Sequence, residues 1–120
     1  MSHLIENCRD QNGSRLIQQQ FEKSSDQEKE QIFQEILPHA YSLMTDVFGN
    51  YVIQKILQLG TIDQKLRLFE VTQGNIYELC KHTYGCRVIQ KSLEVNTLEI
   101  KMINELFRSL KAMDLFKTES

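Results

Sequence analysis

No apolar run in this 120-residue chain approaches the roughly 20 residues that a membrane-crossing helix requires, so no transmembrane segment is expected. The opening MSHLIENCRD carries polar and charged residues where a secretory signal needs an apolar core. Both observations point to a cytoplasmic chain with no membrane partner. Only three cysteines occur, Cys8, Cys80 and Cys86. An odd number without framework spacing argues for reduced thiols rather than disulfides. No segment alternates apolar and polar residues with period two, and no hairpin turn is evident, which disfavours a sheet. What is present is an ordinary globular mixture, 41% hydrophobic and 25% charged, on a length suited to one domain over residues 1–120. Aromatic and aliphatic residues are spread along the chain, which argues against disorder before the last few positions.

The dominant feature is a repeat. The phrase FGNYVIQK, residues 48–55, has counterparts in NGSRLIQQ, residues 12–19, and YGCRVIQK, residues 84–91. Gly13, Gly49 and Gly85 are 36 residues apart, as are Ile17, Ile53 and Ile89, and Gln18, Gln54 and Gln90. Phe21, Leu57 and Leu93 keep the register, with Lys29, Lys65 and Lys101, and Leu43, Leu79 and Leu115. A period of this size falls in the range of helical solenoids.

Each unit reads as helices. After the glycine, Leu16, Ile17 and Phe21 fall at helical spacing, as do Val52, Ile53, Ile56 and Leu57, and Val88, Ile89 and Leu93. A second helix follows a turn. Ser25 with Glu28 and Thr61 with Gln64 have capping-box spacing, whereas Thr97 with Ile100 leaves the third box incomplete. A short third helix precedes each glycine, and Pro38 sits where a first helical turn tolerates it. The expected fold is all-α: a right-handed α-solenoid of three-helix repeats, with units at about 1–37, 38–73 and 74–109. Residues 110–120 supply the first helix of an incomplete fourth unit, whose Leu110, Met113 and Phe116 share one face. That apolar flank lacks a following unit, so marginal stability or weak self-association through this end is expected of an otherwise monomeric chain.

The residue after the glycine varies: Ser14, Asn50, Cys86. Each lies one helical turn before a glutamine, so Ser14 with Gln18, Asn50 with Gln54, and Cys86 with Gln90 share a face. A glutamine amide offers two donors and one acceptor, suited to the hydrogen-bonding edge of an unpaired base. The residues between, Arg15, Tyr51 and Arg87, are planar groups on which bases stack. The formal net charge is −2, but residues 13–20, 49–56 and 85–92 hold Arg15, Lys55, Arg87 and Lys91 and no Asp or Glu, leaving −6 for the rest. Lys55 and Lys91 are placed for phosphate. The variable slot then selects a base while the frame builds the solenoid.

These units resemble Pumilio/PUF RNA-binding repeats, and DVFGNYVIQK and YGCRVIQK are close to that family's reading-helix motif. The resemblance runs from about His3 to Phe116. It implies a crescent of three-helix repeats whose concave face binds single-stranded RNA, usually in an mRNA 3′ untranslated region, for post-transcriptional regulation. It also implies one base per repeat, antiparallel to the chain. By the family's pairing preferences, Asn50 with Gln54 resembles a uracil reader, and Ser14 with Gln18 and Cys86 with Gln90 resemble adenine readers, giving 5′-AUA-3′. The family's domain usually has eight repeats, against three here. Protein effectors are further partners of such a surface. An alternative is a protein-interaction scaffold with little RNA affinity, as most helical solenoids bind proteins.

Other constellations are weaker. Cys80, His82 and Cys86 supply only three zinc ligands, one in the variable slot, so no metal or cofactor is expected. Cys86 with His82 lacks an orienting third group, and no enzyme is expected. Tyr41 and Tyr77 share a column between apolar neighbours and are expected in the core. The acidic run from Asp26 to Glu35 is expected on a solvated outer face.

Overall fold

The structure, a computed structural model, describes residues 3–95. The first unit holds α1 (Leu4–Cys8), α2 (Gln11–Lys23) and α3 (Asp26–Ile36). A single 3₁₀ turn (Leu37–His39) leads to the second, α4 (Ala40–Met44), α5 (Gly49–Leu59) and α6 (Ile62–Thr72). The third opens with α7 (Ile76–Lys81) and α8 (Thr83–Val95). No strand occurs among the described residues. The architecture is an all-α helical repeat solenoid. The expected helix over 110–120, with its apolar flank, lies outside the described residues, as does the Thr97–Ile100 cap.

The middle helices α2, α5 and α8 lie side by side and form an inner ladder. The short helices α1, α4 and α7 each pack on the inner helix of their own unit, and α3 and α6 pack behind. Local chemistry starts the outer helices. Ser25 Oγ accepts from the Glu28 amide at 3.2 Å while Glu28 Oε1 accepts from the Ser25 amide at 2.9 Å. Thr61 and Gln64 repeat the box at 3.2 and 3.0 Å. Such a cap contributes about 1 kcal/mol. Buried Gln64 does more, because its Nε2 also donates to Glu30 Oε1 of the preceding unit at 2.9 Å.

The core is continuous across the units. Ile17, Phe21, Phe33 and Ile36 pack with Leu43, Met44, Val52, Ile53, Ile56, Leu57, Leu68, Leu79 and Val88. Burying one such side chain contributes about 1.5–3 kcal/mol. Exposed ion pairs contribute about 0–1 kcal/mol, so apolar packing dominates the joints. Register explains two exposed members. Leu16 is in column with buried Val52 and Val88 but lies on a flank with no neighbouring helix among the described residues, and it is 64% exposed. Leu93, in column with Phe21 and Leu57, is exposed near the end of the described residues.

The glycine column has a steric cause. A Cβ on Gly13 would sit 2.5 Å from the Asn7 carbonyl oxygen, and one on Gly85 would sit 2.8 Å from that of Leu79. On Gly49 it would meet Leu43 Cδ2 at 2.8 Å. Asn7, Leu43 and Leu79 are themselves 36 residues apart. Each glycine lets a short helix cross the start of an inner helix at backbone contact.

Tyr41 and Tyr77 depart from the expectation. They are 38% and 71% exposed rather than in the core. A helix of five or six residues buries only one side: Ala40, Leu43 and Met44 take the inward positions of α4, and Leu79 that of α7. Lys81 Nζ covers the Tyr77 ring at 4.4 Å, a contact available only at the surface. The exposed positions Asp26, Gln27, Glu28, Gln34 and Glu35 of α3 do form a solvated outer face.

Candidate nucleic-acid interface

Three residues whose capping role the sequence did not announce aim the inner helices. Asp10 Oδ2 accepts from the amides of Asn12 and Gly13 at 3.1 and 2.8 Å. Asp46 Oδ2 does the same for Phe48 and Gly49 at 2.9 and 2.7 Å. His82 Nδ1 accepts from the amides of Tyr84 and Gly85 at 3.1 and 3.3 Å. Asp10, Asp46 and His82 are 36 residues apart, so the column was visible in the sequence. Asp46 also ties the units together: its Oδ1 lies 3.7 Å from Arg9 Nη1, and Arg9 donates to Ser42 Oγ.

From these starts the variable slot and its glutamine rise along one face, but the first two slot residues do not stand at the surface. Ser14 is 2% exposed and Asn50 is wholly buried. Ser14 Oγ donates to the Phe48 carbonyl of the next unit at 2.9 Å and accepts from Gln18 Nε2 at 3.1 Å. Asn50 Nδ2 donates to the carbonyls of Asp46 and Val47 at 2.7 and 3.1 Å, while its Oδ1 accepts from Gln54 Nε2 at 2.9 Å. In the first two units the pair of edge groups expected to share one face is therefore a stack, with the slot residue as floor and the glutamine above. The first turn of an inner helix lies against corner carbonyls, and a buried slot side chain without a partner would be costly, so it donates to them. Gln18 and Gln54 keep Oε1 and one N–H for a ligand. Cys86 is half-buried and Gln90 is exposed.

The planar residues stand clear. Arg15 and Arg87 are exposed and Tyr51 is 41% exposed. Arg87 Nη1 donates to Tyr51 Oη at 3.1 Å, and its guanidinium lies 5.9 Å from the Tyr84 ring centre. Two clefts open between them. One, of about 370 Å³, is lined by Gln11, Ser14, Arg15, Gln18, Phe48 and Tyr51. The other, of about 330 Å³, is lined by Tyr51, Gln54, Arg87, Gln90, Lys91 and Glu94. Tyr51 is the wall they share. The structure thus gathers Ser14, Arg15, Gln18, Tyr51, Gln54, Arg87 and Gln90 around two adjoining slots, with Asn50 beneath and Cys86 lining neither.

The face also carries acid that a count inside the repeated phrases misses. Glu22 Oε1 lies 3.8 Å from Lys55 Nζ, and Glu94 Oε1 lies 3.8 Å from Lys91 Nζ. No cluster of three His, Cys, Asp or Glu converges among the described residues. Burial pushes the Cys8 thiol up to about 11, whereas Cys80 is exposed.

The repeats match a known pattern. The Pumilio-family RNA binding repeat profile matches residues 3–37, 39–71 and 75–106. The chain belongs to the Pumilio family. Among curated members it is 55% identical over 47 residues to Maternal protein pumilio of Drosophila melanogaster, covering 39% of this chain and 3% of that protein. It is 54% identical over 48 residues to Pumilio homolog 2 of Xenopus laevis, covering 40% and 4%. Among solved structures it is similar to the Puf3 RNA binding domain bound to the Cox17 RNA 3′ UTR recognition sequence site A, with a TM-score of 0.78 and 45% identity over 93% of this chain and 33% of that one. PUF-8 in complex with PBE-RNA gives a TM-score of 0.71 and 40% identity over 76% of this chain and 27% of that one. This Pumilio-family chain therefore spans about a quarter to a third of the solved domains it matches and a few percent of the curated relatives.

Proposed function

We propose that this chain binds single-stranded RNA selectively, one base per repeat, reading 5′-AUA-3′ antiparallel to the protein. The observation that carries the reading is the pair of clefts on either side of Tyr51. Each has planar side chains on its walls and a glutamine amide on its surface, and the two repeat with the period of the sequence. A base held between Arg15 and Tyr51, or between Tyr51 and Arg87, would stack on both sides, at about 1–3 kcal/mol per base.

The edge chemistry follows from the floor. Gln18 over Ser14, and Gln90 over Cys86, offer one acceptor and one donor, the complement of the adenine N6 amine and N1. Uracil presents one N–H between two carbonyls. At the middle unit Asn50 Oδ1 accepts that N–H once Gln54 Nε2 leaves it to donate to a carbonyl of the base. Lys55 and Lys91 take phosphate. The RNA-bound state of the Puf3 and PUF-8 domains supports single-stranded RNA as the ligand. An mRNA 3′ untranslated region as target and a cytoplasmic role in post-transcriptional regulation complete the reading, with protein effectors as further partners.

The test is a base swap. Asn50→Ser gives the middle unit the floor of the first, so its preference should move from uracil toward adenine while the outer positions stay unchanged. An unchanged preference would overturn the one-repeat, one-base assignment.

A further inference from the structure

Both lysines on the reading face are already engaged. Lys55 Nζ faces Glu22 at 3.8 Å across the joint between the first two units, and Lys91 Nζ faces Glu94 at 3.8 Å within the third. The pairs differ in route but not in position. Lys55 and Lys91 are 36 residues apart, and Glu22 and Glu94 are two periods apart in one column. In both, the lysine side chain is the sheltered member, 24% and 27% exposed, and the glutamate the open one, 58% and 69% exposed. Lys91 and Glu94 line the cleft walled by Tyr51 and Arg87. The equivalent slot of the middle unit holds the uncharged Gln58.

We infer that Glu22 and Glu94 act as internal counter-ions for the phosphate-binding lysines and weaken the sequence-independent part of RNA binding. This rests on the RNA-binding reading above. A lysine that meets phosphate normally releases a condensed counterion, and this release drives affinity and its salt dependence. A lysine already facing a carboxylate must first give up that partner, and the carboxylate left beside the strand repels it. Base stacking and edge contacts bear none of this cost. The glutamates thus hold binding to arbitrary single strands down while leaving base reading intact. At 3.8 Å, with the glutamate exposed, each pair is loose enough for phosphate to displace it.

The test compares the full chain with Glu22→Gln/Glu94→Gln, titrated by fluorescence anisotropy with an AUA-containing RNA and an AGA-containing one at 50 and 200 mM salt. A control, Glu35→Gln/Glu70→Gln, makes the same change in net charge on exposed positions of α3 and α6. Two freed phosphate contacts steepen the logarithmic salt slope by about 1.4, so affinity falls about 7-fold further across this range than in the unaltered protein. The reading-face variant should bind both RNAs more tightly at 50 mM, by about 2- to 10-fold, and the control should match the unaltered chain. Equal slopes for all three proteins, with RNA binding present, would overturn the inference alone. Steepening in the control equal to that in the variant would also overturn it, because net charge and not pairing would be the cause. Absence of RNA binding by every protein would overturn the RNA reading itself.

Discussion

Replacing Gly13 with alanine separates helix propensity from packing. In a free helix the change stabilises by up to about 1 kcal/mol. Here the new Cβ would lie 2.5 Å from the Asn7 carbonyl oxygen and 3.0 Å from Asn7 Cα. Both atoms are backbone, so no rotamer change relieves the contact, and α1 must move by about 1 Å to restore ordinary separation. Helix α1 carries buried Cys8, with Leu4 and Ile5 packed on the core, so its movement opens the end of the stack. Overpacking of this kind costs about 1–3 kcal/mol. With backbone on the receiving side, the packing cost outweighs the propensity gain, for a net loss of about 1–2 kcal/mol. Thermal melting followed by circular dichroism should show a Tm lower by about 4–8 °C. Gln20→Ala, at an exposed position of the same helix, should stay within about 0.5 kcal/mol of the parent. An unchanged or raised Tm for Gly13→Ala would refute the claim that close helix approach fixes the glycine column.

Tyr51→Ala removes the wall common to both clefts and should weaken RNA binding by about 10- to 100-fold, more than Arg15→Ala, in an anisotropy titration. Hydrogen bonds from Gln64 and then Gln34 hold the Glu30 carboxyl below the usual glutamate value. The stability this contributes is present above that usual value and is lost as pH falls through the lower folded-state one. The Tm difference between the parent and Glu30→Ala should accordingly shrink from pH 6 to pH 3. Cys80 should be alkylated by iodoacetamide at pH 8 while Cys8, buried and raised to about 11, is protected until unfolding, as peptide mass spectrometry would show.

Much of the fold was legible in the sequence because its determinants are local or periodic. The boxes at Ser25–Glu28 and Thr61–Gln64 depend on residues three apart, and both form. The 36-residue register carried the inner helices and the planar residues Arg15, Tyr51 and Arg87 to one face. What was not legible depends on neighbours distant in sequence. Burial of Ser14 comes from the Phe48 carbonyl of the next unit, 34 residues away. The Glu22–Lys55 pair also crosses a joint, so a charge count confined to the repeated phrases overlooked it. Tyr41 and Tyr77 misled because apolar neighbours suggest a core, while helices this short bury only one side. Asp10, Asp46 and His82 were readable as a column, but the change from carboxylate to imidazole hid a shared function as acceptors.

The most direct measurement is an equilibrium titration of the chain with a short single-stranded RNA containing 5′-AUA-3′, the same RNA with the uracil replaced by guanine, and a DNA duplex. Three stacked bases at about 1–3 kcal/mol each, set against an association cost of about 4–15 kcal/mol, leave at most about 5 kcal/mol, a dissociation constant of about 0.2 mM or poorer, which edge and phosphate contacts tighten toward micromolar. The AUA strand should bind in that range, the guanine strand at least about tenfold more weakly, and the duplex should not compete. Equal affinity for all three would contradict base reading, and binding to none of them would leave the solenoid as a protein-interaction scaffold.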